Sequence, residues 1–193
     1  TREWKMKNRG SQWFDGDTIN ASIGQGYLLT TPIQLALMTS MLANRGKSLF
    51  PKLVKNKNLI LETQNKPDIK NEHWEYIHNA MTNVVHSEKG TAKLINKNIN
   101  YKIAGKTGTA QVVSIAEEDY DKSKLDPSQW DHALFIAFAP EEQPEIAVAL
   151  IVENGEFGSL TAAPIAKKVI ETYMKKRMLV PNNIGAMYKN AKF

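Results

Sequence analysis

Apolar residues recur along this chain partly with the 3.6-residue period of a helix and partly in short runs rich in β-branched or aromatic residues. The first helical stretch opens at Thr31-Pro32-Ile33-Gln34, where Thr31 can cap, Pro32 brings a φ suited to the first turn, and Gln34 can reach back to close a capping box. It should end before Gly46. Ile33, Leu35, Ala36, Leu37, Met38, Met41, Leu42 and Ala43 are apolar on nearly every side, which predicts a helix inside the domain, its methionines serving as core filler rather than ligands. A second helix is predicted over 72–89, capped by Asn71 and stopped by Gly90, with Trp74, Ile77, Met81, Val84 and Val85 on one stripe. A third, over 162–178, follows a turn at 155–159. It sets Ala162, Ala166, Val169, Ile170 and Tyr173 on one face and Lys167, Lys168, Glu171 and Lys175 on the other, the pattern of a helix lying on a sheet.

The sheet is predicted from 102–113, 133–139 and 146–153. The tight link between Pro140 and Pro144 makes the last two runs a hairpin, and short connections favour antiparallel neighbours. The fold class is therefore α/β of the α+β type, an antiparallel sheet flanked by helices. Between the first two strands, 114–131 carries Glu117, Glu118, Asp119, Asp121, Asp126 and Asp131 among few apolar residues. A link of this length is either disordered or functional. Its consecutive acids repel one another and are read as solvated rather than as a catalytic pair.

Composition narrows the class. A hydrophobic fraction of 42% is enough for a buried core, and the net charge of +5 is dispersed, with small clusters at Arg2, Lys5, Lys7, Arg9 and at Lys175, Lys176, Arg177 that read as solvated faces. Nucleic acid is not an expected partner. The absence of cysteine removes disulfides, thiolate metal sites and a cysteine nucleophile together. His73, His78, His86 and His132 have no spacing that sets two ligands on one helix face, so no metal is expected. Trp4, Trp13 and Phe14 are expected to pack rather than to hold a sugar. No apolar run reaches membrane-spanning length, and the first residues lack the features of a signal peptide, so the chain reads as a fragment of something longer.

One segment stands out chemically: Ala104-Gly105-Lys106-Thr107-Gly108-Thr109-Ala110-Gln111, inside a predicted strand. Glycines at 105 and 108 weaken a strand, which implies that something approaches the backbone closely. Lys106 supplies a point charge, and the hydroxyls of Thr107 and Thr109 supply directional donors, a combination that could bind a carboxylate. If this strand lies on a sheet edge, its free main-chain groups could take an extended peptide.

Lys-Thr-Gly is weak evidence by itself, but it is one of the three signatures shared by serine β-lactamases and penicillin-binding proteins. Ser22-Ile23-Gly24-Gln25-Gly26, Thr31-Pro32-Ile33-Gln34-Leu35-Ala36, Asn44-Arg45-Gly46, Gly90-Thr91-Ala92 and Ala104 to Gln111 resemble, in order, the region after the Ser-x-Asn loop of class B penicillin-binding proteins. Thr1-Arg2-Glu3-Trp4-Lys5, Gly16-Asp17-Thr18-Ile19 and Asp131-His132 running into Ala137-Phe138-Ala139-Pro140 resemble the elongation subgroup, penicillin-binding protein 2. The resemblance spans 1–178 as the C-terminal portion of a transpeptidase domain and leaves 179–193 as an unplaced tail.

The resemblance implies a peptidoglycan D,D-transpeptidase that crosslinks stem peptides ending in D-Ala-D-Ala through an acyl-serine, acts in cell-wall elongation and shape maintenance, needs no cofactor and is acylated by β-lactam antibiotics. It implies that Lys106 attracts the substrate carboxylate and organises protons around the serine, that Thr107 and Thr109 bind that carboxylate, that Gly108 keeps the strand open, and that the Thr109 N–H is one oxyanion-hole donor. It also implies a membrane-embedded glycosyltransferase as partner of the full-length protein and a place on the periplasmic face of the inner membrane, with the anchor outside this chain. The chain departs from the family pattern in one respect. No serine is followed three positions later by lysine or two positions later by asparagine, and the nearest forms, Thr63-x-x-Lys66 and Thr172-x-x-Lys175, are not credible nucleophiles. The fragment alone is therefore expected to be inactive. A rival reading is a non-catalytic β-lactam-sensing or scaffold module that uses the same cleft only to hold ligand. Sheet edges left open by a missing partner favour a dimer or an exchanged strand.

Overall fold

The computed structural model describes residues 1–49, 51–52, 63–64, 67–112 and 125–179, which fall into two units, residues 1–31 and the chain from Pro32 onward. Most of the acidic link and nearly all of the 179–193 tail lie outside the described residues.

In the first unit, helix α1 (Arg2–Arg9) starts on the Thr1 hydroxyl, which accepts the Trp4 N–H at 3.1 Å, and stops at Gly10 in the left-handed conformation, φ 64°. Helix α2 (Asp15–Ser22) is held at its start by Asp17, whose Oδ2 accepts the Phe14 N–H at 2.7 Å. The same oxygen takes the ammonium of Lys5 at 2.6 Å, and the hydrogen bond from Lys5 holds this carboxyl below its usual range. Lys5 is itself buried, its Nζ 4.7 Å from the Phe14 ring centre and 5.3 Å from that of Tyr27. The aromatic residues pack less than the sequence predicts: Trp4 meets Tyr27 at 5.8 Å, but Phe14 is 54% exposed. Trp4, Trp13 and Tyr27 line a cavity of about 380 Å³ within this unit.

The second unit is built on a three-stranded antiparallel sheet ordered β3 (Ala104–Ala110), β4 (His132–Ala139), β5 (Ile146–Val152), preceded by a two-stranded pair, β1 (Ser48–Leu49) and β2 (Thr63–Gln64). Lys106 stands opposite Ile136, Thr107 opposite Phe135 and Gly108 opposite Leu134. Side chains alternate across the sheet, so each face has its own core. On one, Ala133, Phe135, Ala137 and Ala139 meet Ala162, Ala163, Ala166, Ile170 and Met174 of a one-turn π-helix (Gly158–Ala162) and helix α5 (Ala163–Leu179). The small α5 residues let the helix lie close while Phe135 and Ile170, both fully buried, each contribute about 1.5–3 kcal/mol. On the other, Phe138 and Ala104 pack with Ala43 of helix α3 (Pro32–Ala43) and Met81 of helix α4 (Asn71–His86).

Three helix expectations need adjustment. α3 buries only Thr39 and Ala43, and Ile33 is 49% exposed, because among the described residues the helix has the sheet on one side and little else around it. On α5 Val169 is 43% exposed and Met174 takes its place in the core. On α4, Trp74, Met81 and Val85 are buried as the stripe predicts, His78 joins them and Ile77 is 38% exposed. Fully buried, His78 places its Nε2 2.8 Å from the Leu42 carbonyl and its ring 4.8 Å from that of Phe138.

Candidate functional site

Lys106, Thr107, Gly108 and Thr109 occupy the middle of β3, and among the described residues β4 is the only strand paired with it. The strand is therefore an edge. Its first residues, Ala104 and Gly105, are buried, whereas Lys106 and Thr109 are exposed and Thr107 and Gly108 half-buried. By alternation Lys106 leaves the sheet on one face and Thr107 and Thr109 on the other. The Lys106 ammonium donates to the Thr107 carbonyl at 2.7 Å and forms no ion pair among the described residues.

The protein's own atoms account for Gly105 and crowd the backbone at Gly108, where an added Cβ would itself meet only the Leu134 Cβ at 3.2 Å. A Cβ at position 105 would lie 2.6 Å from Cζ of the Phe135 ring, which crosses β3 at that point. Gly108 is approached from the α5 side by Gly158, where an added Cβ would lie 2.7 Å from the Gly108 carbonyl oxygen and 3.1 Å from its nitrogen. The close approach read from the sequence is thus made by Phe135 and Gly158.

Two further contacts fix β3, and a third fixes its neighbour β4. The Ile103 N–H, one residue ahead of the strand, donates to His86 Nε2 at 3.0 Å. The Thr91 hydroxyl lies 3.3 Å from that of Thr107. Thr91 reaches this point because the chain doubles back after α4, the Ala92 N–H bonding the Val84 carbonyl at 2.9 Å across a turn that contains Gly90. At the far end, Asn154 donates its backbone N–H to His132 Nδ1 at 3.0 Å. None of these pairings has a sequence signature of its own; Gly90 is legible only as a helix stop, and Asp131-His132 only as part of a resemblance.

Burial first, and then the positive charge of Lys102, push the His86 imidazole below its ordinary 6.5, against an opposing hydrogen bond with Asn96. The Ile103 N–H also needs an unprotonated Nε2 to accept it. The neutral ring is therefore the folded form, and on acidification the unfolded chain takes the proton first. The stability this ring contributes is present above 6.5 and lost as pH falls through the lower folded value. Denaturation of the protein between about pH 7 and pH 5 should show that loss. His86→Gln, which keeps an acceptor without titrating, should flatten it.

The other candidates serve the framework rather than the chemistry of β3. His132 and His86 accept backbone N–H groups and His73 is exposed. Among the described residues no group of three or more His, Asp or Glu side chains could hold a metal. A cavity of about 340 Å³ lies between Asn98, Tyr101 and Glu171, and neither it nor the aromatic cavity of the first unit is lined by 106–109. The described residues thus present as a wall an edge strand with an exposed ammonium on one face and two hydroxyls on the other, its open edge suited to an extended ligand.

Comparison with known proteins gives this wall a context. Residues 3–171 match the family described as penicillin binding protein transpeptidase domain. The chain is 42% identical over 187 residues to the peptidoglycan D,D-transpeptidase MrdA of Haemophilus influenzae, covering 92% of this chain and 29% of that protein. It is 42% identical over 193 residues to the MrdA of Acinetobacter baumannii, covering 94% and 28%. Among solved structures, PBP2 of Pseudomonas aeruginosa in complex with WCK 5153 is 39% identical with a TM-score of 0.71 over 90% of this chain and 36% of that one. PBP2 of Helicobacter pylori, in complex with MreC, is 30% identical with a TM-score of 0.73, over 90% and 30%. The chain thus spans under a third of the length of these curated relatives.

Proposed function

The chain belongs to the penicillin-binding protein transpeptidase family, and we propose that it is the C-terminal part of a peptidoglycan D,D-transpeptidase of cell-wall elongation, with 1–178 in the transpeptidase domain and 179–193 as a tail. The observation that carries this reading is the exposure of Lys106 and Thr109 on the outermost strand of the sheet. A stem peptide ending in D-Ala-D-Ala lies along that edge as an added strand. A serine from the preceding part of the protein attacks the penultimate carbonyl, D-alanine leaves, and the acyl group passes to an amine on a neighbouring stem peptide.

Each residue of the wall has a task in this scheme. Lys106 attracts the terminal carboxylate and organises the protons around the serine; the hydroxyls of Thr107 and Thr109 orient that carboxylate. The Thr109 N–H faces the oxygen that gains charge in the tetrahedral intermediate, a donor that stabilises it by about 3 kcal/mol. Gly108, with no side chain, leaves room for the acyl group. β-Lactams acylate the same serine and remain. No cofactor takes part. The full-length protein works at the periplasmic face of the inner membrane beside a membrane-embedded glycosyltransferase.

Fluorescent penicillin tests the assignment. The full-length protein should become covalently labelled and the 193-residue chain should not. Labelling of the isolated chain would place a nucleophile within it, and an unlabelled full-length protein would favour a scaffold.

A further inference from the structure

We infer that His132 and Asn154 form a clamp that sets the position of the substrate wall by pressing Gly158 against Gly108; this rests on the reading of 106–109 as that wall. The turn after β5 holds two non-glycine residues in the left-handed region, Asn154 at φ 54° and Glu156 at φ 61°. Side chains with a Cβ rarely adopt this conformation, so the surroundings must fix both residues. They do so through the start of β4. Asn154 donates its backbone N–H to His132 Nδ1 at 3.0 Å and its side-chain amide to the Ser128 and Trp130 carbonyls at 2.8 and 2.9 Å. The Glu156 N–H bonds the Asp131 carbonyl at 2.8 Å. The Thr161 hydroxyl closes the turn from the other side on the Gly155 carbonyl at 2.7 Å.

Two residues beyond Glu156 the chain reaches Gly158, which is buried and rests on the backbone of the paired residues Leu134 and Gly108. The atoms nearest this point are all backbone, which cannot swing aside to absorb a displacement. A shift of the Asn154 turn is therefore passed through Gly158 to Gly108, between the two threonines that meet substrate. The Asp131 carboxylate reaches the same region from another side, 3.4 Å from the Val112 N–H just past the end of β3. His132 acts here as a positioning residue: its Nδ1 lone pair receives the Asn154 N–H, and it touches no reacting atom.

The test uses the full-length protein and two readouts, the rate of acylation by fluorescent penicillin and amide hydrogen exchange over 105–109. His132→Ala removes the acceptor and should slow acylation by about 10- to 100-fold, as misplacing a positioned group does, while exchange at Gly108 and Thr109 quickens. His132→Asn, which offers an oxygen near the position of Nδ1, should restore most of both; a merely structural loss of the ring would not be rescued by so small a side chain. Where His132→Ala fails to fold, Asn154→Gly serves, since it accepts the left-handed φ and deletes the clamp's two side-chain amide bonds; slower acylation with quicker exchange at Gly108 supports the clamp, and wild-type values of both overturn it. Wild-type acylation and exchange in the alanine variant, or an asparagine variant no better than alanine, would overturn the clamp. If the wild-type protein itself is not acylated, the transpeptidase reading falls, and the exchange measurement still decides whether His132 controls Gly108.

Discussion

In the full-length protein, Lys106→Ala should lower the rate of acylation by penicillin by about 10- to 100-fold and leave the melting temperature almost unchanged. The two halves of this result have different causes. Lys106 is exposed, and its one hydrogen bond among the described residues runs to the carbonyl of the next residue, so the fold loses little without it. Surface substitutions of this kind stay within about 0.5 kcal/mol. The ligand loses a charge-assisted hydrogen bond worth roughly 1.5–3 kcal/mol, which at about 1.4 kcal/mol per decade gives the expected range. Lys106→Arg should recover only part of the rate, because a planar fork does not reproduce a compact ammonium. A large fall in melting temperature would mean that Lys106 serves the fold rather than the ligand.

Gly90→Ala should do the reverse, with a loss of stability of about 3 kcal/mol. The added Cβ would fall on the Val84 carbonyl oxygen, 2.6 Å from the Asn83 oxygen and 2.8 Å from the Val84 carbonyl carbon. These are backbone atoms of the last turn of α4 and cannot swing aside as a side chain can. The turn must move, and with it go the Ala92 bond to Val84 and the meeting of Thr91 with Thr107. For a domain of this size the loss corresponds to a melting temperature lower by roughly 6–12 °C. Gly16→Ala is the control, since nothing lies within 4 Å of the Cβ it would add. Equal melting temperatures for the two variants would remove Gly90 from the account.

How much of this was legible in the sequence differs from element to element. The hairpin of β4 and β5 follows from two apolar runs about a short proline-bounded link, and the Glu145 N–H closes it on the Ala139 carbonyl at 2.9 Å. The α4 stripe was legible for Trp74, Met81 and Val85, because residues three or four apart share a face whatever packs on them. Ile77 and Val169 were misread for the same reason: helical period says which residues share a face, not how far a neighbour extends over it. The break after Thr31 was missed because the resemblance runs across it over 1–178, although apolar residues are sparser before it than after it.

At the candidate site the sequence marked the chemistry and missed the framework. Lys106 and its threonines form a contiguous motif that can be read as such. The supports join residues distant in sequence: His86 with Ile103, Thr91 with Thr107, His132 with Asn154, Gly158 with Gly108. Each is an ordinary residue whose partner is chosen only by the closed sheet. Gly105 was flagged as a site of close approach, but the sequence could not say that the intruder is Phe135, a residue that otherwise reads only as core.

The most direct measurement is a crystal structure of the full-length protein acylated by a β-lactam. The account predicts the ligand's carboxylate within hydrogen-bonding distance of the Thr107 or Thr109 hydroxyl, the Lys106 ammonium beside it, and the acyl chain running along the open edge of β3. An acyl group bound with its carboxylate elsewhere, and β3 untouched or covered by another strand, would contradict it.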